Sequence, residues 1–312
     1  MIINKIAGVL CQIYYKTKYW RFKNDFERVY KKLGVEYLNE SQMADTIREC
    51  LLNKIPYCIG KIGGNEANAV VFNDLGTVSQ KKLAYDRLCF FAGFFPNEYS
   101  EEMLEKYANV QTDAISKLDM LVYYNKDYEE YLLKRYASKK LAWVDVVGSW
   151  SQEIFWTSEL EGYKVVVVHP FAELIKRQYE QNRDKIYENS NVLPKFELRV
   201  VQAVQTIGSS GNDMFESWFD ALDFMYHEIM KEDFDIALIG CGAYGLPLAA
   251  KVKDAGKIGV HMGGDLQMLF GIRGKRWDER EKAKRWYNGA WVRPGEEYKV
   301  NGFDSVEDGC YW

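Results

Sequence analysis

The chain has 312 residues, of which 47% are hydrophobic and 28% are charged, and its formal net charge is −4. This balance is ordinary for a globular protein with a large core, and it excludes a wholly disordered chain. A weakly acidic protein has no overall field that attracts nucleic acid, so we expect no nucleic-acid partner.

The N-terminal region predicts neither a leader nor a membrane span. The apolar stretch 6–10 is shorter than the roughly 7–15 residues of a signal-peptide core. No run reaches the about 20 apolar residues that a membrane helix needs. Because no linker marks a boundary, we expect one cytoplasmic domain over residues 1–312. Residues 1–35 are predicted as a helical extension whose basic, amphipathic part, 1–24, either packs on the domain or contacts the inner membrane surface.

Short apolar runs alternate with helical patterns along the rest of the chain. Strands are predicted at 57–62, 118–124, 141–147, 164–169, 196–206, 235–240 and 257–262. Helices are predicted at 41–53, with Ser41 as N-cap, and at 67–72, 171–187, 214–230 and 246–254. This alternation indicates an open, twisted, mostly parallel α/β sheet, whose ligands bind at the carboxyl ends of the strands. The six cysteines lack metal or redox spacing, so we expect reduced, mostly buried thiols.

The clearest motif is GCGAYG at 240–245, between a predicted strand and a predicted helix. In this GxGxxG pattern, Gly240, Gly242 and Gly245 let the backbone approach a phosphate, whose charge the helix N-terminus favours. The alternative is a tight turn that needs glycine for its geometry alone.

The next predicted strand leads to Gly264 and Asp265. Asp265 falls near the place where a dinucleotide-binding fold has its ribose-binding acid, which supports a nucleotide-dependent oxidoreductase as an alternative. Against this alternative, the motif lies in the last quarter of the chain, and only one clear strand follows it.

A basic loop at 270–277 adds Arg273, Lys275 and Arg276. Arginine forks suit the oxygens of a diphosphate, although a solvated basic turn explains the same residues equally well.

Two further polar residues follow strand ends. Glu66 could bind a metal, a ribose or an acceptor hydroxyl, but a carboxylate that complements a helix dipole is the simpler interpretation. His169 ends the predicted strand 164–169 and suits a structural or a catalytic role equally. The absence of GxSxG, HExxH and GxxxxGK[ST] motifs argues against the commonest serine hydrolases, zinc proteases and P-loop NTPases.

The segment KIGGNE at 61–66 resembles the Arg-Phe-Gly-Asp-Gly-Glu segment of bacterial glycosyltransferases with the GT-D fold. In that family an Asp-x-Glu motif holds a divalent metal and the nucleotide-sugar diphosphate. Gly64 stands where the family has Asp, and only Glu66 matches. The unit 235–264 is similar to the family's C-terminal nucleotide-fold unit. The stretches 168–171, 242–247, 270–277 and 309–312 resemble proteins found with bacterial surface-polysaccharide genes.

The resemblance implies a Rossmann-like α/β fold with helices on both faces of the sheet. It also implies transfer of a sugar from a nucleotide-sugar donor to a cell-surface polysaccharide or glycoconjugate, so the acceptor is a glycan or a glycolipid. Glu66 is the implied ligand of Mg²⁺ or Mn²⁺, and no organic cofactor is expected.

The expected donor-binding residues are Gly63, Gly240, Gly242, Gly245, Gly264, Arg273, Lys275 and Arg276. In an inverting reaction Asp265 or His169 would take the proton of the acceptor. A noncatalytic nucleotide-sugar-binding protein is a further alternative, since it would explain the missing Asp.

Overall fold

The computed structural model describes residues 35–123, 128–137, 142–144 and 148–312. The amphipathic segment 1–24 of the predicted N-terminal extension lies outside them. The cysteines within these ranges, Cys50, Cys58, Cys89, Cys241 and Cys310, are buried and form no disulfide bond with one another, as the sequence predicts. None of the described helices is both long enough and apolar enough to cross a membrane.

The described strands form one eight-stranded sheet in which every neighbouring pair is parallel. They are β1 (Glu36–Tyr37), β2 (Tyr57–Gly60), β3 (Met120–Val122), β4 (Ala142–Val144), β5 (Lys164–His169), β6 (Glu197–Gln202), β7 (Ile236–Ile239) and β8 (Ile258–His261). Their order across the sheet is β1-β4-β3-β2-β8-β7-β5-β6. The predicted Rossmann-like α/β class is confirmed, and each predicted strand is present, although most are shorter than predicted.

Strand β5 shows why both faces of the sheet are covered. Val165 and Val167 belong to one hydrophobic core, Val166 and Val168 belong to the other, and all four are fully buried. Successive side chains of a strand point to opposite faces, so a continuous apolar run is stable only between two layers of helices.

Helices supply these two layers. The first core contains residues of α2 (Gly64–Leu75), α3 (Val78–Ala92), α4 (Glu101–Lys117), α5 (Glu129–Tyr136), α7 (Trp218–Lys231) and α8 (Gly245–Asp254). The second core contains residues of α1 (Glu40–Asn53), α6 (Ala172–Ile186), α9 (Asp265–Leu269), α10 (Lys275–Asp278) and α11 (Glu281–Lys284).

Helix α1 corrects one prediction, because its N-cap is Asn39 and not Ser41. The side chain of Asn39 accepts the N–H of Gln42 at 3.0 Å, and the side chain of Gln42 accepts the N–H of Asn39 at 3.0 Å. This reciprocal pair is a capping box, which satisfies two N–H groups that the helix leaves free. Ser41 therefore lies inside the first turn.

Neighbouring strands β5 and β7 send the chain in opposite directions. From β5 it passes through α6 to the edge strand β6, whereas from β7 it passes through α8 to β8 on the other side. Diverging connections of this kind open a crevice outside the carboxyl ends of the strands, where open α/β sheets bind their ligands. The crevice lies between His169, at the end of β5, and the turn that follows β7.

Candidate functional site

A cavity of about 590 Å³ occupies this crevice and extends along the carboxyl edge of the sheet. Its volume falls within the roughly 300–1,000 Å³ that is usual for small-ligand pockets. The predicted site residues that line it are Gly63, Glu66, His169, Gly240, Gly242, Gly264, Asp265 and Arg276. Gly63 and Gly242, which follow β2 and β7, therefore lie at the same edge of the sheet. Gly245, Arg273 and Lys275 are not among the described lining residues.

The turn after β7 is open to the cavity at Gly242. This residue has a φ of +57°, in the left-handed region that glycine adopts without strain. Apart from its chain neighbours, no described heavy atom lies within 4 Å of the position that a Cβ would take there. A ligand can therefore approach the backbone at the start of α8, where the first N–H groups have no partner within the helix.

The other two glycines of the motif have packing roles. A Cβ on Gly240 would lie 2.7 Å from the carbonyl oxygen of Gly263 and 2.9 Å from Cδ2 of His169. A Cβ on Gly245 would overlap the ring of His261. The lack of a side chain on Gly245 lets α8 pack against His261, and the expected contact of Gly245 with the donor stays a prediction.

Two histidines lie beside this turn: His169 ends β5 and His261 ends β8, the strands on either side of β7. His169 is 4% exposed, and its Nδ1 accepts the backbone N–H of Phe171 at 2.9 Å. Burial lowers the pKa of His169 to about 3. His261 is 6% exposed, and its buried Nδ1 has no hydrogen-bond partner among the described residues. Burial, followed by the positive charge of Lys61, lowers the pKa of His261 to about 3.

Lys61 is a cavity residue to which the sequence pattern assigned no role of its own. Its Nζ lies 3.5 Å from Oδ2 of Asp265, and both side chains are about four-fifths buried. The ion pair therefore connects the end of β2 with the start of α9. The signal that could have identified Lys61 is its position, directly after β2 and before the glycines that open α2. Asp265 is thus placed at the cavity wall beside a cation.

Glu66 lies in the first turn of α2 and is partly buried. A Cβ on Gly63, the N-cap of this helix, would overlap the carboxylate of Glu66. The carboxylate therefore folds back over the helix N-terminus, as in the dipole-complementing interpretation of the sequence. Among the described residues, no group of three or more His, Cys, Asp or Glu side chains could hold a metal ion.

The three cations of the basic loop lie in two different environments. Arg273 packs over the ring of Tyr287 with 4.3 Å to the ring centroid, and Nζ of Lys275 donates to the carbonyl oxygen of Asp308 at 2.8 Å. Both cations lie outside the described cavity lining, and their expected contact with a diphosphate stays a prediction. Only Arg276, of the three predicted cations, lines the cavity.

Residues 306–311 form a wall of the cavity that holds Arg276 in place. The guanidinium of Arg276 pairs with Glu307, donates to Oη of Tyr311 at 2.8 Å and stacks over that ring. A second cation, Arg280, is exposed and also lines the cavity, and the described residues provide no ion-pair partner for its side chain. The C-terminal segment therefore supplies charged groups that the strand pattern could not place.

Comparisons with protein-family models, with curated proteins and with solved structures find no match for this chain.

Proposed function

We propose that this protein is a cytoplasmic glycosyltransferase that transfers a sugar from a nucleotide-sugar donor to a cell-surface polysaccharide or glycoconjugate. The observation that carries the proposal is the cavity at the diverging strands β5 and β7, where an open glycine turn, cations and a carboxylate share one space. Sugar transfer needs these three elements in reach of one another, since the donor phosphates bind to amides and cations while a base takes the proton of the acceptor hydroxyl that attacks the sugar.

The leaving group is stabilised at the start of α8. When the bond between the sugar and the diphosphate breaks, negative charge develops on the phosphate oxygen. The backbone N–H groups of residues 241–244 and the cations Lys61, Arg276 and Arg280 in the same cavity would stabilise that charge.

Asp265 is the proposed base of an inverting reaction. The acceptor hydroxyl forms the new bond to the sugar carbon, its proton passes to the carboxylate, and the nucleoside diphosphate leaves with the electron pair of the broken bond. Asp265 lines the cavity, and its ion pair with Lys61 fixes its position.

A divalent cation fits this proposal through few protein ligands. Mg²⁺ is usually bound by one or two carboxylates together with substrate phosphates and waters, so the carboxylate of Glu66 in this cavity can suffice. The cation would supply further charge stabilisation at the phosphates.

The oxidoreductase alternative has weaker support. No described strand after β8 extends the sheet, so the late GxGxxG unit ends after two strands. A dinucleotide half-site normally contains three.

Calorimetric titration with nucleoside diphosphates and nucleotide sugars tests donor binding, and release of nucleoside diphosphate in the presence of glycan or glycolipid acceptors tests transfer. We expect Asp265→Asn to lower turnover by about 10²- to 10⁴-fold. The control is Asp254→Asn, an exposed carboxylate at the far end of α8. Donor binding without turnover would identify a noncatalytic protein, and failure of every nucleotide to bind would overturn the proposal.

A further inference from the structure

The imidazole of His169 is held in one tautomer by its backbone contact. Nδ1 accepts the N–H of Phe171 at 2.9 Å, so this nitrogen must carry a lone pair and no proton. In a neutral ring the proton then lies on Nε2. The pKa of His169 is lowered by burial alone, with no contribution from a charged neighbour, and this keeps the ring neutral near pH 7.

The ring is also held in one orientation. Cδ2 lies against Gly240, where a Cβ would come within 2.9 Å of it, and the ring centroid lies 5.1 Å from that of Phe171. Nε2 is bonded to Cδ2, so it lies next to the ring atom that contacts Gly240, and His169 lines the cavity. Among the described residues, no group hydrogen-bonds to Nε2.

We propose that His169 is a neutral hydrogen-bond donor to an anionic oxygen bound at the turn 240–245, and that it is not the base of the reaction. That the anion is the diphosphate of a nucleotide sugar rests on the proposed function. The geometry of the N–H group of His169 does not. A base must have a free lone pair directed at the acceptor, and in this tautomer the only lone pair is already used by Phe171. Of the two residues expected as the base, Asp265 therefore remains.

Other charged groups share the cavity with His169 without contacting its Nδ1. They are Lys61, Glu66, Asp265, Arg276, Arg280 and Glu307. The cations among them favour an anion in the same space, which is the partner that a neutral N–H donor suits. Cys241, the first residue after Gly240, carries a thiol whose pKa burial raises, so it stays uncharged beside the turn.

The tautomer is measured directly by nuclear magnetic resonance on protein labelled with ¹⁵N at histidine. The signals of residue 169 are assigned by their loss in His169→Gln. Long-range correlations are expected to show a proton on Nε2 and none on Nδ1, with unchanged shifts between pH 5 and pH 8. A proton on Nδ1, or titration within this range, overturns the proposal. This arm needs no ligand and no turnover.

The donor role is tested by binding of inorganic pyrophosphate to two amide variants. In His169→Gln the side-chain amide reaches the position of Nε2 and can donate, but it cannot take a proton. In His169→Asn the shorter amide keeps an acceptor for Phe171 and leaves no group at the position of Nε2. We expect the Asn variant to lose affinity by about 10- to 100-fold and the Gln variant by only about threefold, because hydrogen bonds to charged groups are strong.

The results separate the donor role from the glycosyltransferase proposal. Equal losses in the two variants, no loss in either, or no pyrophosphate binding by the wild-type protein would each overturn the donor role. Absence of transfer with every nucleotide sugar would overturn only the proposed function. If transfer is found, loss of nearly all turnover in His169→Gln with little change in pyrophosphate affinity would show that His169 is the base after all.

Discussion

Two strand-to-helix turns meet in the cavity, and they treat the N-termini of their helices in opposite ways. The turn from β2 to α2 folds its own carboxylate, Glu66, over the N-cap Gly63. The turn from β7 to α8 has no acid and leaves Gly242 open to the cavity. Both are glycine-rich in sequence, yet only the second offers its helix dipole to a ligand.

A glycine turn at a strand end can bind an anion from solution only if no carboxylate of the chain already lies at the N-terminus of its helix. At α2 the carboxylate already complements the dipole, so a phosphate placed there would meet a like charge. At α8 the supporting groups are the uncharged rings of His169 and His261, which pack against Gly240 and Gly245. The phosphates of a donor are therefore expected at α8.

We expect the largest effect of low pH on stability to come from His169 and His261, which pack against the turn from β7 to α8. Their pKa values in the folded protein, about 3, lie below the ordinary value of 6.5, so the unfolded chain binds protons that the folded chain does not. Their contribution to stability is complete above about pH 6.5 and is lost as the pH falls towards 3. Below pH 6 we expect the free energy of unfolding to fall by up to about 2.7 kcal/mol per pH unit from the pair.

Urea denaturation at pH 5 and pH 6 measures this effect. The double variant His169→Gln/His261→Gln should show a smaller difference between the two pH values than the wild-type protein, because the carboxylates are common to both. Identical differences would show that the two rings are already protonated in the folded protein.

Gly242→Val is expected to weaken nucleotide binding by about tenfold or more, since a branched side chain blocks the approach of phosphate to the backbone. The matched control is Gly256→Val at the other end of α8. Both glycines are exposed, both have positive φ and neither has a close neighbour at the Cβ position, so the cost of backbone strain is similar. Calorimetry with a nucleoside diphosphate, together with thermal melts, separates the two effects. Equal affinities in the two variants would assign Gly242 to the turn alone.

Glu66→Gln should have the smallest effect. We expect a nucleotide sugar to bind a few-fold more tightly with Mn²⁺ than with a chelator, and the variant to lose this difference while it stays folded. Glu173→Gln is the control, because Glu173 lies in the first turn of α6 but outside the described lining. If wild-type affinity does not depend on the metal, Glu66 serves only its helix, and Lys61, Arg276 and Arg280 stabilise the leaving group.

The sequence predicted the sheet better than it predicted the helices. Apolar runs such as 164–169 are unambiguous because both faces are buried, whereas α3 was not predicted. That helix exposes Leu83 and Phe91 while it buries Tyr85 and Leu88, which blurs its apolar face. Helix α4 was also missed, although its N-cap, Ser100, and its regularly spaced apolar residues give a readable signal.

The strand-end residues of the site were predictable for the same reason, because parallel strands bring their carboxyl ends to one edge. The different positions of the cations in the basic loop were not predictable. Arg276 lines the cavity while Lys275 does not. Lys275 donates a hydrogen bond to the carbonyl oxygen of Asp308, and Arg276 is held by its ion pair with Glu307. No periodicity in the sequence indicates where that segment lies.

A crystal structure with a bound nucleoside diphosphate tests the central claim most directly. The account predicts phosphate oxygens at the backbone amides of residues 241–244, with one of them within about 3 Å of Nε2 of His169. Phosphates that do not contact residues 241–244, and that bind instead to the backbone amides at the N-terminus of α2 or outside the cavity, would contradict it.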